Sequence, residues 1–123
     1  NLGQNELFLR ANSYKAGSPE YDELFEVAVR LFPDNTTANL NAANTAMHRG
    51  DYAAARRYLD RAGDAPEAVY GRGVLLALEG NYSEALPLLR KAQQLGVAEA
   101  AEAVGQAEMC QAGPNGITYY DVD

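Results

Sequence analysis

Apolar residues along this chain recur at three- and four-residue intervals, and glycine or proline interrupts the pattern at each junction. That pattern predicts seven helices and no sustained strand. The first helix spans about residues 5–15, with Leu7, Phe8, Ala11 and Tyr14 at helical spacing, and Gly17 stops it. Ser18 and Pro19 then read as N-cap and first helical position, where the missing proline donor costs nothing. The second helix runs to about Phe32 with Leu24, Val27, Ala28 and Leu31 as its buried side, and Pro33 ends it. Asp34 and Asn35 offer caps for a third helix over 36–49, and Gly50 and Asp51 close it and cap a fourth over 52–62. The fifth starts at Pro66 and ends near Glu79. The sixth covers 82–95, with Pro87 near its first turn as a source of distortion. Gly96 separates a seventh over 97–112, which Gly113 and Pro114 terminate. Asn115–Gly116 then gives a turn signal, and 117–120 is the one stretch where a strand could form.

Two of these junctions repeat each other. Gly50–Asp51–Tyr52 returns thirty residues later as Gly80–Asn81–Tyr82, with Ala55 and Ala62 matched by Ala85 and Ala92. Each copy puts a glycine at the end of one helix and a polar cap plus tyrosine at the start of the next. A helix–turn–helix unit of this size cannot bury its apolar face alone, so neighbouring units must stack. The short connections make successive helices antiparallel neighbours.

The chain has 123 residues, enough for one domain, and 47% of them are hydrophobic. Its net charge of −7 argues against nucleic acid, which needs clustered lysine and arginine, and against anionic lipid surfaces. The acidic balance identifies no partner; it supports solubility and leaves basic partners open. Cys110 is the single cysteine, so no intrachain disulfide can form, which suits the cytosol and also a disulfide-free periplasmic domain. No apolar run approaches the ~18 residues of a membrane span. The chain starts at Asn1 and not at Met, and we expect a fragment of a longer protein.

The repeat resembles the tetratricopeptide repeat. Ala43 and Gly73 match that motif's small position in its first helix, Gly50 and Gly80 its closing glycine, and Tyr52 and Tyr82 its following aromatic. Ala55, Ala62, Ala85 and Ala92 match the small residues of its second helix, and residues 28–35 match the way the motif ends, proline included. Asn39 and Val69 stand where the motif carries tryptophan. The resemblance implies an all-α fold, a right-handed α–α superhelix of about three units (4–33, 34–65 and 66–96) with a capping helix over 97–112. The domain would span 1–113, with a tail over 114–123. It also implies a non-enzymatic module that binds a protein or peptide in a concave groove. Segments 32–35, 37–46 and 62–70 are further similar to the repeat module that accompanies an OmpA-like portion in cell-envelope proteins of Bacteroidetes. That similarity implies a periplasmic or envelope location with a flanking outer-membrane domain, while composition leaves the cytoplasm open.

In the repeat register the groove would be lined by Leu40, Asn41, Asn44, Met47 and His48 of the third helix and by Tyr70 and Val74 of the fifth. Asn41, Asn44 and His48 stand at i, i+3 and i+7 and share a face. Amides there could bond a bound peptide backbone, or they could tie neighbouring helices together. Tyr70, Val74, Ala77 and Leu78 could line an apolar wall or simply belong to the core. Gly73 falls at the close contact between paired helices, and Gly71 nearer the groove. The clamp that holds a peptide C-terminus in some members of this family needs basic groove residues; Leu40, Tyr70, Glu67 and Gly71 occupy those positions, so that specificity is not expected. No catalytic, cofactor or metal constellation emerges. His48 is the only histidine, Cys110 sits in small apolar company, and Glu99 with Glu102 makes a poor transition-metal site. Arg56, Arg57 and Arg61 alternate with Asp60 and Asp64 and read as a solvated face. The alternative to partner binding is a structural spacer whose groove is covered by residues 117–123 or by neighbouring domains. An accessible Asn44 and Tyr70 would favour binding.

Overall fold

The structure is a computed structural model that describes the backbone of residues 3–122 and the side chains of residue 3 and residues 6–112. Seven α-helices and no strands occur among the described residues: α1 Gln4–Asn12, α2 Pro19–Leu31, α3 Thr36–His48, α4 Tyr52–Ala62, α5 Pro66–Leu78, α6 Tyr82–Gln94 and α7 Ala100–Val122. The chain divides into two compact units, Asn1–Ala65 and Pro66–Asp123.

Local chemistry sets the ends of the helices. The Ser18 hydroxyl, the Asn35 amide oxygen and the Asp51 carboxylate accept bonds from the backbone N–H of Tyr21, Ala38 and Ala54, capping α2, α3 and α4. Each satisfies one donor that the first helical turn leaves open. The repeated glycines close α3 and α5 identically. The Gly50 N–H donates to Met47 at 3.0 Å and Asp51 N–H to Ala46 at 2.8 Å; Gly80 N–H donates to Ala77 at 3.0 Å and Asn81 N–H to Leu76 at 2.8 Å. This double bond pattern requires a left-handed residue, and Gly50 and Gly80 have φ of 78° and 85°.

In the N-terminal unit, Leu7 and Ala11 of α1, Phe25, Ala28 and Val29 of α2, and Ala38 and Ala42 of α3 form one core. Phe25 stacks on Phe8 with ring centroids 5.7 Å apart and meets Tyr21 at 4.7 Å. The buried side of α2 therefore differs from the expected Leu24, Val27, Ala28 and Leu31. Only Ala28 of that set is fully buried, and Leu31 is 58% exposed. Both stripes are apolar, and the aromatic one wins because three rings meet on it and bury more area. Tyr14 lies beyond α1, which ends at Asn12 with the Ser13 hydroxyl donating to the Arg10 carbonyl at 2.6 Å.

Asn39 is fully buried. Its Nδ2 donates to the carbonyls of Pro33 and Asn35 at 2.8 and 2.9 Å, while its Oδ1 has no partner among the described residues.

In the C-terminal unit, α5 and α6 pack closely around Gly73, with Ala85, Leu86, Leu89 and Ala107 buried beside them. Gly71 is buried too, against the expectation of open space there, because α5 buries positions 68, 69, 71, 73 and 75 around much of its girth. Pro87 lies in the second turn of α6. Its ring is exposed, and the helix runs on with one backbone bond missing.

The last helix corrects two expectations. Residues 97–99 form a turn, with Ala100 N–H donating to Val97 at 3.1 Å, so α7 starts later than 97. It then continues to Val122, through Gly113–Pro114 and through the candidate strand at 117–120. Proline removes one helical donor, and the residue before it usually clashes with the ring through its Cβ; glycine at 113 has none. Cys110 is exposed and not packed.

A Cβ on residue 73 would lie 2.7 Å from Leu89 Cδ2, 2.8 Å from Cγ and 3.3 Å from the Leu89 backbone nitrogen, whereas one on residue 105 would meet nothing within 4 Å. Gly73→Ala is expected to lower the urea midpoint, since overpacking costs ~1–3 kcal/mol and the helix-propensity gain returns at most ~1. Gly105→Ala should raise it or leave it unchanged. The reverse order would show that α5 and α6 are not this close.

Candidate functional site

The polar residues of α3 point to one place. Its buried side is made of Ala38, Asn39, Ala42, Ala43 and Ala46. The opposite side carries Asn41, Asn44, Thr45 and His48, and these face Tyr21 and Asp22 of α2 across a cleft of about 520 Å³. Three of the residues expected in a groove, Asn41, Asn44 and His48, are thus brought together within the N-terminal unit. Tyr21, Asp22, Thr45 and Arg49 are lining residues that the sequence reading missed. They come from a helix some twenty residues away or from positions without a distinctive pattern, and the nearest signal was the polar pair Asp22 and Glu26 at i, i+4 on an otherwise amphipathic helix.

Two hydrogen bonds join α2 to α3 along the cleft. The Tyr21 hydroxyl donates to Asn41 Oδ1 at 2.9 Å, and the Thr45 hydroxyl donates to Asp22 Oδ1 at 3.3 Å. Asn41 Nδ2 donates in turn to the Thr37 carbonyl at 3.0 Å. Asn41 therefore ties helices together, and both ends of its amide are engaged. Arg49, at the edge of the same lining, pairs with Glu26, with Nη1 2.8 Å from Oε1. Asn44 and His48 are exposed, and their side chains bond to no other described residue. Burial, and secondarily the neighbouring Asp22 carboxylate, raise the Tyr21 phenol above its ordinary value.

A larger, more open hollow of about 610 Å³ lies over the α2–α3 turn. One continuous stretch, residues 31–37, forms it, and its Asn35 amide is committed to capping α3. Leu40 and Met47 are half-buried and do not line the cleft.

Tyr70 and Val74 belong to the C-terminal unit. Both are half-buried and pack on the core that α6 and α7 share, Tyr70 against Ala92 and Ala100 and both against Leu89 and Ala107. Burial raises the Tyr70 phenol, and the carboxylates of Glu99 and Glu102 raise it further. Tyr70 thus serves as a packing residue beneath α7, and Leu78, expected on the same side, is 51% exposed. Whether residues 117–123 cover a groove lies outside the described residues. No group of three metal-ligating side chains occurs among the described residues, and none of their helices is long and apolar enough to cross a membrane.

Consecutive helical hairpins with small residues at the helix contacts, identical glycine closures and a polar inter-helix cleft define an all-α repeat protein. A model of the tetratricopeptide repeat matches residues 6–67 and again residues 54–103, and the chain belongs to that family. No curated protein matches it. Tetratricopeptide repeats generally mediate protein–protein interaction.

The raised tyrosines give a pH test. A raised native value means that folding favours the neutral phenol, so this contribution is complete below the unfolded value of 10.0 and is lost as pH climbs through the native value. Stability should therefore fall above pH 10. The fall should be smaller in Tyr21→Phe, which also gives up about 0.5–1.5 kcal/mol at neutral pH with its bond to Asn41. Denaturation midpoints across the alkaline range check this, and an unchanged alkaline slope would refute the burial of Tyr21.

Proposed function

We propose that this domain is a protein-binding module and that its contact surface is the cleft between α2 and α3. The observation that carries the reading is the pairing of two unlike kinds of polar residue on one wall. Asn41 and Thr45 are consumed in holding the helices, while Asn44 and His48 stand exposed with nothing bonded to them. A fixed wall with free amide and imidazole groups can donate to and accept from a peptide backbone without reorganising first. Leu40 and Met47 are half-buried on the same helix and lie outside the cleft's lining. Nothing in this arrangement suggests catalysis.

The second reading, a structural spacer, draws support from the C-terminal unit, where α7 packs against Tyr70 and Val74. The two readings divide between the units: the first offers a polar cleft, the second is closed by its own helix. The proposed envelope location and flanking outer-membrane domain rest on the sequence similarity of segments 32–35, 37–46 and 62–70 alone.

The double variant Asn44→Ala, His48→Ala should keep the parental melting temperature, because neither side chain is packed or bonded. It should lose most of the proteins that the parent captures from an extract of its source cells, judged by quantitative comparison of the two captures. Arg57→Ala, an exposed change on α4, should alter neither property. Capture by the double variant equal to the parent's would transfer the argument to the spacer reading.

A further inference from the structure

We propose that the α2–α3 cleft selects a cationic side chain, a lysine or arginine carried on an extended segment of the partner. The inference rests on reading this cleft as the contact surface and specifies what it takes.

Among the described lining residues, the one carboxylate, Asp22, has no cation paired to it. Asp22 is half-buried, and its one hydrogen bond is the Thr45 hydroxyl at 3.3 Å. A carboxylate offers about four acceptor sites, so most of its capacity is unused. The cation nearest to hand, Arg49, also lines the cleft but is held by Glu26 at 2.8 Å. Asp22 has no ion pair with any described residue. A partly desolvated carboxylate without a counter-charge gains more from an incoming cation than a fully solvated one does.

The neighbouring wall suits the same ligand. The Tyr21 hydroxyl is engaged with Asn41, and its ring, packed on Phe25, is half-buried where it lines the cleft. Such a half-buried ring gives the methylene stem of a lysine or arginine an apolar surface to lie along. Asn44 stands free to bond the backbone on either side of that residue. At longer range the net charge of −7 steers cations towards the molecule. This polarity is opposite to that of a clamp for a peptide carboxylate, which the positions of Leu40, Tyr70, Glu67 and Gly71 already disfavour.

The test uses the whole chain and three blocked pentapeptides, four alanines around a central arginine, glutamate or glutamine, followed by amide NMR titration. The arginine peptide should produce saturable shifts confined to the neighbourhood of Tyr21, Asp22, Asn44 and Thr45, and the glutamate peptide none there. Asp22→Asn keeps an acceptor for Thr45 and the shape of the cleft, and should weaken arginine-peptide binding by about tenfold or more, the loss of one charge-assisted bond. Equal shifts in the cleft from all three peptides would overturn the charge selectivity and leave the cleft as a contact surface. Unsaturable shifts scattered over the acidic surface, or no shifts in the cleft, would overturn the proposal, while the Asn44, His48 capture experiment judges the surface independently. The wild-type comparison of peptides decides the matter even if Asp22→Asn does not fold.

Discussion

Close approach of paired helices is the constraint on which the rest of this molecule depends. Gly73 lies against Leu89 so tightly that a single methyl group would intrude, and alanines occupy the corresponding contacts elsewhere: Ala43, Ala55 and Ala85 are fully buried, and Ala62 is nearly so. Small residues let two backbones come together, and larger ones such as Phe25, Leu59 and Leu89 then fill the space around them. A close pair also needs a tight connection. Gly50 and Gly80 supply it, since only a residue tolerant of positive φ can carry both closing bonds without strain. The thirty-residue echo in the sequence is the trace of these two requirements acting twice.

That origin explains what could be read in advance. Helix number, junctions and most boundaries follow from local chemistry, so Ser18, Asn35 and Asp51 cap where their types and positions indicate. The buried stripe of α2 was not legible, because Leu24, Val27 and Leu31 form as good a periodic set as Tyr21, Phe25 and Val29. The choice belongs to Phe8 and to the alanines of α3, which are distant in sequence. The end of α7 was not legible for a different reason: glycine at 113 lacks the Cβ that usually clashes with the following proline ring, and the helix runs on through the pair. At the candidate site the split is similar. Asn41, Asn44 and His48 share a face by the period of one helix, which sequence reveals. Tyr21 and Asp22 face them only because α2 packs alongside α3, which it does not reveal. Tyr70 packs, half-buried, on the core of the C-terminal unit, and the same periodicity serves a groove wall and a surface covered by a capping helix.

The cleft sits at a junction between repeats, the second helix of one unit against the first helix of the next. Such junctions are usually sealed by apolar packing, and the inner side of this one is, through Phe25, Ala28, Ala38 and Ala42. Its outer side is held by Tyr21 to Asn41 and Thr45 to Asp22. Polar bonds fix separation and orientation while leaving unfilled space between the helices, which is what a binding surface needs and a core forbids.

Asn39 links that surface to the fold. Thirty residues later the corresponding position is Val69, buried and apolar. The difference lies in the preceding turn. Between α2 and α3 the chain passes through Pro33, and the carbonyls of Pro33 and Asn35 both receive the Asn39 amide. Reversing the amide would set its oxygen against two carbonyl oxygens, so the bonds fix its orientation. The unpartnered Oδ1 is a cost, offset by two satisfied carbonyls at the bend that sets how α2 meets α3. Tyr21 and Asp22 lie on one side of that bend and Asn41, Asn44 and His48 on the other, so the turn that Asn39 holds connects the two walls of the cleft.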